Sequence, residues 1–279
     1  MSDDEDNIYI DEDGEEEDID VGSGGSEEVD GMEDEDGGEE EEDLQTVMEN
    51  TYYSGKGSIN SDLDEAIEMF NLVLEMEPEK GNWGFKTLKQ IIKAYFKHGK
   101  YDEMVEKYKD LLAYMDVVSR NDSEKAINNI LSLVSNSTDS NLLSNIYQIT
   151  LNALKLANND KLWFNTKLKQ GQVFFNLKDY EKLQDCVDEL KQWCLTEDGK
   201  EDTKKSSQLL DVYVLEIQMY SEREELKKLE ALYKKCSSLS SGAVVLNPRV
   251  IGVIKECGGK MYMREKKWAQ AYEDLFEAF

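Results

Sequence analysis

The chain has 279 residues, four cysteines, 39% hydrophobic residues and a formal charge of −29. Residues 1–50 hold 25 of its 61 acids and no Lys or Arg, which leaves 36 acids against 32 bases in the other 229 residues. No basic stretch leads into an apolar run, no segment approaches the roughly 18 apolar residues of a membrane span, and the body lacks a broad basic patch, so secretion, membrane insertion and nucleic-acid binding are not expected.

Residues 1–43 read as a disordered acidic tail. Their carboxylates repel one another, and Ile8, Tyr9, Ile10, Ile19 and Val21 offer too little apolar surface to offset chain entropy. From Leu44 onward the pattern is helical. Pro78 falls between periodic segments, as does Pro248, where a helix would be broken anyway. Ala94–Tyr101 then shows a helix end, a short polar turn and an aromatic anchor, followed by Val105, Tyr108 and Leu112. Segments 123–135 and 141–157 form a pair across a Ser/Asn/Thr loop, with Asn121 and Glu124 spaced for a capping box. Val173–Tyr180 repeats the anchored turn, followed by Leu183, Val187 and Leu190, and segments 207–220 and 224–236 form the next pair. Ala243–Leu246 alone looks extended, in a loop before Pro248. Lys260–Trp268 gives the turn a third time, followed by Ala271, Tyr272, Leu275 and Phe276.

The anchors Tyr101, Tyr180 and Trp268 lie about two repeat lengths apart, which implies six units of roughly 35–45 residues. The expected fold is all-α, a right-handed solenoid of TPR-like, PCI-type helical repeats over residues 44–279. Each helix pair buries its apolar stripe mainly against the next, so stability resides at the interfaces between neighbours.

Little points to catalysis. His98 is the single histidine, in the turn before Tyr101, which excludes a zinc isopeptidase centre of the His-x-His type. Gly258-Gly259-Lys260 fails as a phosphate loop, because Ile254 stands at the first glycine and Met261 at the Ser/Thr; close helix packing or a kink explains the glycine pair better. Cys186, Cys194, Cys236 and Cys257 form no CxxC pair and read as reduced core residues. The sequons at Asn121 and Asn136 carry no meaning away from the secretory path. The acids are too dense to mark a metal site, and no metal or catalytic residue is expected.

The most informative helix is 84–100. On a helical wheel, Lys86, Lys89, Lys93, Lys97 and Lys100 fall in one arc about 80° wide, and Leu88, Ile91, Ile92, Tyr95 and Phe96 face the other way. Five lysines with no acid between them repel one another unless an anion is near. The alternatives are a solvated helix face, an acidic partner surface, a polyphosphate, and the chain's own tail competing for the face.

The residues also resemble a family. Glu79–Gln90 with its Trp-Gly-Phe-Lys run, Asn159–Phe164, Leu215–Tyr220, Gly252–Glu265, Tyr52-Tyr53 and the acidic start are similar to the subunit 2 family of the COP-nine signalosome, over roughly residues 40–279. The ending Trp268–Phe279 is shared with a paralogous non-ATPase subunit family of the proteasome lid, and Trp83–Lys86 favours the signalosome. The resemblance implies helical repeats followed by a PCI domain with a winged helix. It implies a non-catalytic scaffold, nuclear and cytoplasmic, whose repeats embrace the cullin C-terminal region and RING protein of a cullin–RING ligase while another signalosome subunit removes Nedd8. It implies inositol hexakisphosphate at that junction, with Lys86 as the matching lysine. The PCI domain is missing: the chain stops at Phe279 within an amphipathic helix, which suggests a fragment whose exposed last helix self-associates. The proteasome-lid paralogue and an acidic adaptor or chaperone for basic proteins remain the alternatives.

Overall fold

A computed structural model describes residues 44–278 except 78, 136, 138, 197 and 241–247. The tail of residues 1–43, Pro78, Asn136 and the extended segment Ala243–Leu246 lie outside the described residues. Among the described residues there are twelve α-helices in six pairs: α1 (Leu44–Ser58) and α2 (Leu63–Met76), α3 (Asn82–Lys97) and α4 (Tyr101–Leu112), α5 (Arg120–Ser135) and α6 (Ser140–Leu156), α7 (Asp160–Asn176) and α8 (Tyr180–Trp193), α9 (Ser206–Glu222) and α10 (Leu226–Ser240), α11 (Pro248–Arg264) and α12 (Trp268–Ala278). The all-α repeat architecture follows from the sequence pattern, and Pro248 proves to be the first residue of α11 rather than part of the loop, a position where its missing N–H is not needed.

One turn recurs five times. After α3, Lys100 N–H donates to Tyr95 O and Gly99 N–H to Phe96 O, with Gly99 at φ 71°. This is a Schellman closure, which needs one residue in the left-handed region. The same two bonds close the turns after α6, α7, α9 and α11, with Asn158, Lys178, Glu224 and Lys266 at the positive-φ position. In all five the next helix begins two residues after the positive-φ residue, which is why an anchor residue follows at fixed spacing. Side-chain caps then start several helices: Asp62, Asp139, Asn159 and Asp179 each accept from backbone N–H groups of the helix that follows.

Helix α5 departs from the expected start. Ser119 rather than Asn121 caps it: Asp122 N–H donates to Ser119 Oγ at 3.2 Å, and Ser119 Oγ donates to Asp122 Oδ2 at 2.6 Å. Beginning two residues earlier lets Arg120 reach both Glu124 and the Asn159 side chain, 2.6 Å away, and so ties this pair to the next.

A main core runs from α3 to α11, and a smaller cluster of Met48, Tyr52, Ala66, Phe70, Val73 and Ile91 joins α1 and α2 to α3. Full burial stabilises each large apolar side chain by about 1.5–3 kcal/mol. Glycine permits the closest approaches. A Cβ on Gly258 would lie 2.4 Å from the Tyr233 ring, and one on Gly259 2.6 Å from Leu275, so the glycine pair serves helix packing. The anchors Tyr101 and Tyr180 pack against the core, but Trp268 does not: it is 65% exposed, in line with Tyr272 and Phe276 on the face of α12 that no described helix covers.

Candidate functional site

The lysine arc is built from the start of α3 upward. Gly81, its N-cap, has no capping side chain, and Glu77 supplies one from the preceding turn: its carboxylate accepts from the N–H groups of Trp83 and Gly84. That acid also suits the positive end of the helix dipole. Gly84 has no room for a Cβ, which would lie 2.5 Å from the Tyr114 hydroxyl. Burial, and then the Glu77 charge, push that phenol above its usual range. The backbone thus seated, Trp83 packs on Tyr52 of α1, with ring centroids 5.5 Å apart.

Each lysine then meets a definite environment. Lys86 Nζ lies 5.0 Å over the Trp83 ring, and Lys89 Nζ 5.7 Å over Phe85. Such contacts contribute about 0.5–1 kcal/mol at partly exposed positions and restrict where the ammonium sits. Lys97 donates to Asn60 Oδ1 at 2.7 Å, and Lys100 pairs with Asp64 at 3.3 Å, both in the turn and first residues of α2. With Asp64 87% exposed, that ion pair contributes at most about 1 kcal/mol. Lys93 stands between the two groups.

The structure brings Lys86, Lys89, Lys93 and Lys97 onto one face of α3, a helix with no acidic residue, opposite the buried Leu88, Ile91, Ile92 and Ala94; Lys100, expected on the same helix, lies beyond the left-handed Gly99 as the N-cap of α4. The structure also divides them. Lys97 and Lys100 are engaged by the first helix pair, whereas Lys86 and Lys89 rest on aromatic rings. Lys97 is exposed and the other four are half-buried. Sequence reasoning missed the residues that fix this arrangement, Asn60, Asp64 and Trp83, and also Lys80, which donates to Ala113 O at 3.0 Å and lies 5.5 Å from the Tyr114 ring. Lys80 and Trp83 stand in the conspicuous Glu79–Gln90 run; Asn60 and Asp64 carry no local signal.

The remaining chemistry-bearing residues serve structure. His98 is exposed at the C-cap of α3, with Nδ1 2.9 Å from Ala94 O. All four cysteines are buried and unpaired, and burial pushes Cys186, Cys194 and Cys257 up to about 11 and Cys236 to about 12. Among the described residues no three His, Cys, Asp or Glu side chains are grouped to hold a metal ion, and no helix is long and apolar enough to cross a membrane.

No family model matches the chain. It is 47% identical over 234 residues to COP9 signalosome complex subunit 2 of Drosophila melanogaster, covering 83% of this chain and 52% of that protein. It is 46% identical over 236 residues to the protein of that name in Caenorhabditis elegans, covering 83% and 48%, and 43% identical over 236 residues to that of Dictyostelium discoideum, covering 83% and 52%. The chain thus spans about half the length of the curated relatives it matches.

Proposed function

The helical body belongs with COP9 signalosome complex subunit 2, of whose length it matches about half, and from that premise we propose that it acts as a non-catalytic scaffold in the signalosome. In this reading it contacts other signalosome subunits and holds the cullin C-terminal region and RING protein of a cullin–RING ligase, while another subunit removes Nedd8 from the cullin. It works in the nucleus and the cytoplasm, where those ligases are.

The observation that carries the reading is the lysine face of α3, in a chain whose charge is −29. Stacked helix pairs present rows of side chains suited to a large partner. An acid-free row of ammonium groups adds the means to select an anionic one. The same donor set suits inositol hexakisphosphate as a bridging ligand: Lys86, Lys89 and Lys93 succeed one another by about a helical turn, and phosphate is well served by such point charges. These lysines would hold it at the end of α3 that the Asn60 and Asp64 contacts leave to one side.

The test is titration of the chain with a purified cullin–RING complex at two salt concentrations, with and without inositol hexakisphosphate. The Lys86→Glu/Lys93→Glu variant should bind about tenfold more weakly and with a shallower salt dependence, the equivalent of about 1.4 kcal/mol. Unchanged affinity and salt slope would sink the reading. Retention of histone-like basic proteins alone, lost on deleting residues 1–43, would favour the acidic-adaptor alternative, a reading motivated by the 25 acids at the N-terminal end.

A further inference from the structure

A second site lies two helix pairs beyond the lysine face. Between α7 and α9, which pack on one another, there is a half-open cavity of about 220 Å³. That is below the roughly 300 Å³ at which sites for drug-sized ligands begin, and is sized for one side chain. Leu168, Val214 and Leu215 form its apolar part, and Asp211, Gln172 and Gln218 its polar part.

Asp211 is an exception among the acids. Every other buried or half-buried carboxylate among the described residues has a hydrogen-bond or ion-pair partner: Glu77 accepts from two backbone N–H groups, Glu216 meets Lys191, Glu225 meets Lys228, and Asp274 meets Lys255. Asp211 is half-buried and has neither. Burial alone holds its carboxyl above the usual carboxylate range, and no cation brings it back down. Lys169, which also lines the cavity, is engaged by α5, donating to Asn128 Oδ1 at 2.8 Å. The amides add acceptors. Gln172 donates its N–H to Asn176, which leaves its carbonyl oxygen, and the Gln218 side chain makes no hydrogen bond among the described residues. A partly desolvated carboxylate is costly without a partner, and the group that relieves it must donate and carry positive charge.

We infer that this cavity takes an arginine side chain from a linear segment of a partner protein, with the guanidinium on Asp211 and the two amide oxygens and the methylene stem along Leu168, Val214 and Leu215. Arginine suits it better than lysine. Its planar head has donors for a carboxylate and two amides at once, and it is weakly hydrated, so it loses less on entering a half-buried site. The site is independent of the lysine face of α3, which selects the opposite charge.

Fluorescence anisotropy of a labelled, end-blocked peptide Gly-Leu-Arg-Leu-Ser-Gly, titrated with the full chain, tests it beside the same peptide carrying citrulline, the neutral isostere of arginine. The arginine peptide should bind with a Kd of about 0.1 mM, and the citrulline peptide about tenfold more weakly. Asp211→Asn should lose that same factor for the arginine peptide and bind the two peptides alike. Because the variant removes an unpaired charge, it should unfold at no lower a temperature than the parent chain. Lys86→Glu/Lys93→Glu should not weaken the arginine peptide, so failure here and failure of the scaffold reading are separable. The proposal is overturned if the arginine peptide does not bind at millimolar concentration, or if the citrulline peptide binds the parent chain as well. It is equally overturned if Asp211→Asn, folded by circular dichroism, still prefers arginine, which would assign the preference to other acids, such as the 25 among residues 1–50.

Discussion

The α3/α4 and α7/α8 pairs stand 79 residues apart, counted from Tyr101 to Tyr180, and turn by the same two backbone bonds into the same aromatic anchor. Their second helices match position for position: Met104 with Leu183 and Leu111 with Leu190 all lie against the core with 1% exposure or less. Their first helices differ. Helix α7 packs against α6, α8 and α9, with Gly171 admitting Leu215 so closely that a Cβ would lie 2.5 Å from it. Two of its three lysines are absorbed one at a time: Lys167 is buried against Glu189, and Lys169 donates to Asn128. Helix α3 leans chiefly on α2 and α4, and its polar arc keeps four lysines and no acid. One backbone plan thus serves as core support in the middle of the stack and as a charged face near its start, according to what packs beside it.

The shared plan is tested most heavily at the matched core positions. Met104→Ala and Leu183→Ala should each lower the unfolding free energy by about 3 kcal/mol in urea titration, since both remove a fully buried side chain from a packed interface. A loss of under 1 kcal/mol at Met104 alone would mean that the two pairs are not packed alike there.

The pairs part company six residues beyond the anchor, where α4 has the half-exposed Lys107 and α8 the buried Cys186. Burial pushes that thiol up from 9.0 to about 11. The thiolate fraction at pH 8 then falls about a hundredfold, and alkylation by iodoacetamide should slow at least that much relative to the urea-unfolded chain. The linkage has a definite sign. The native state keeps a proton that the unfolded chain releases near pH 9, so the stabilising contribution is complete below that pH and is lost as pH rises through about 11. Cys194, raised to about 11 by its own burial, acts in the same direction. Rapid native-state labelling of Cys186 would contradict this packing.

One residue further, α4 carries Tyr108 and α8 carries Val187, both fully buried. The Tyr108 hydroxyl lies 2.7 Å from Thr150 Oγ1, which itself donates to Ile146 O, so Tyr108 is the donor to Thr150. This bond links α4 to α6, a contact for which Val187 has no counterpart. Tyr108→Phe should cost about 1 kcal/mol, and a double-mutant cycle with Thr150→Val should recover most of that as coupling.

These contrasts also show how much the sequence could reveal. Helix number, pairing and anchored turns were legible because burial recurs at fixed spacing within each unit. Four lysines of the arc were legible because they lie on one helix, whereas Lys100 falls outside it because the left-handed Gly99 ends α3 first. Asn60, Asp64 and Tyr52 were not, since they reach α3 from another pair, and nothing local marks a contact made across some 30 residues. The Asn121 capping box misled for a different reason: Ser119, Asn121, Asp122 and Ser123 are all competent caps, and Arg120 reaching Asn159 in the next pair favours the earliest. Trp268 has the anchor's spacing, but spacing does not say whether a neighbour packs on that face.

The smallest expected effect bears on the turn itself, where the two pairs use different residues for one conformation. Gly99 adopts φ 71° without strain, whereas Lys178 holds φ 58° against contact of its Cβ with the backbone. Nothing lies within 4 Å of a Cβ built on Gly99, so the penalty for adding one there is purely conformational. Gly99→Ala should therefore destabilise by about 1 kcal/mol. Lys178→Gly should stabilise by about 0.5 kcal/mol, the relief of strain exceeding the entropy of a new glycine. Asn158→Gly, at φ 51° after α6, should change stability least, because an asparagine side chain already tolerates this region. Opposite signs at 99 and 178 would establish that the turn geometry is imposed by the stacking of the pairs and not chosen by its residues. Equal losses at both sites would mean that Lys178 contributes through its side chain, and the shared turn would then be a resemblance of shape without a shared energetic cause.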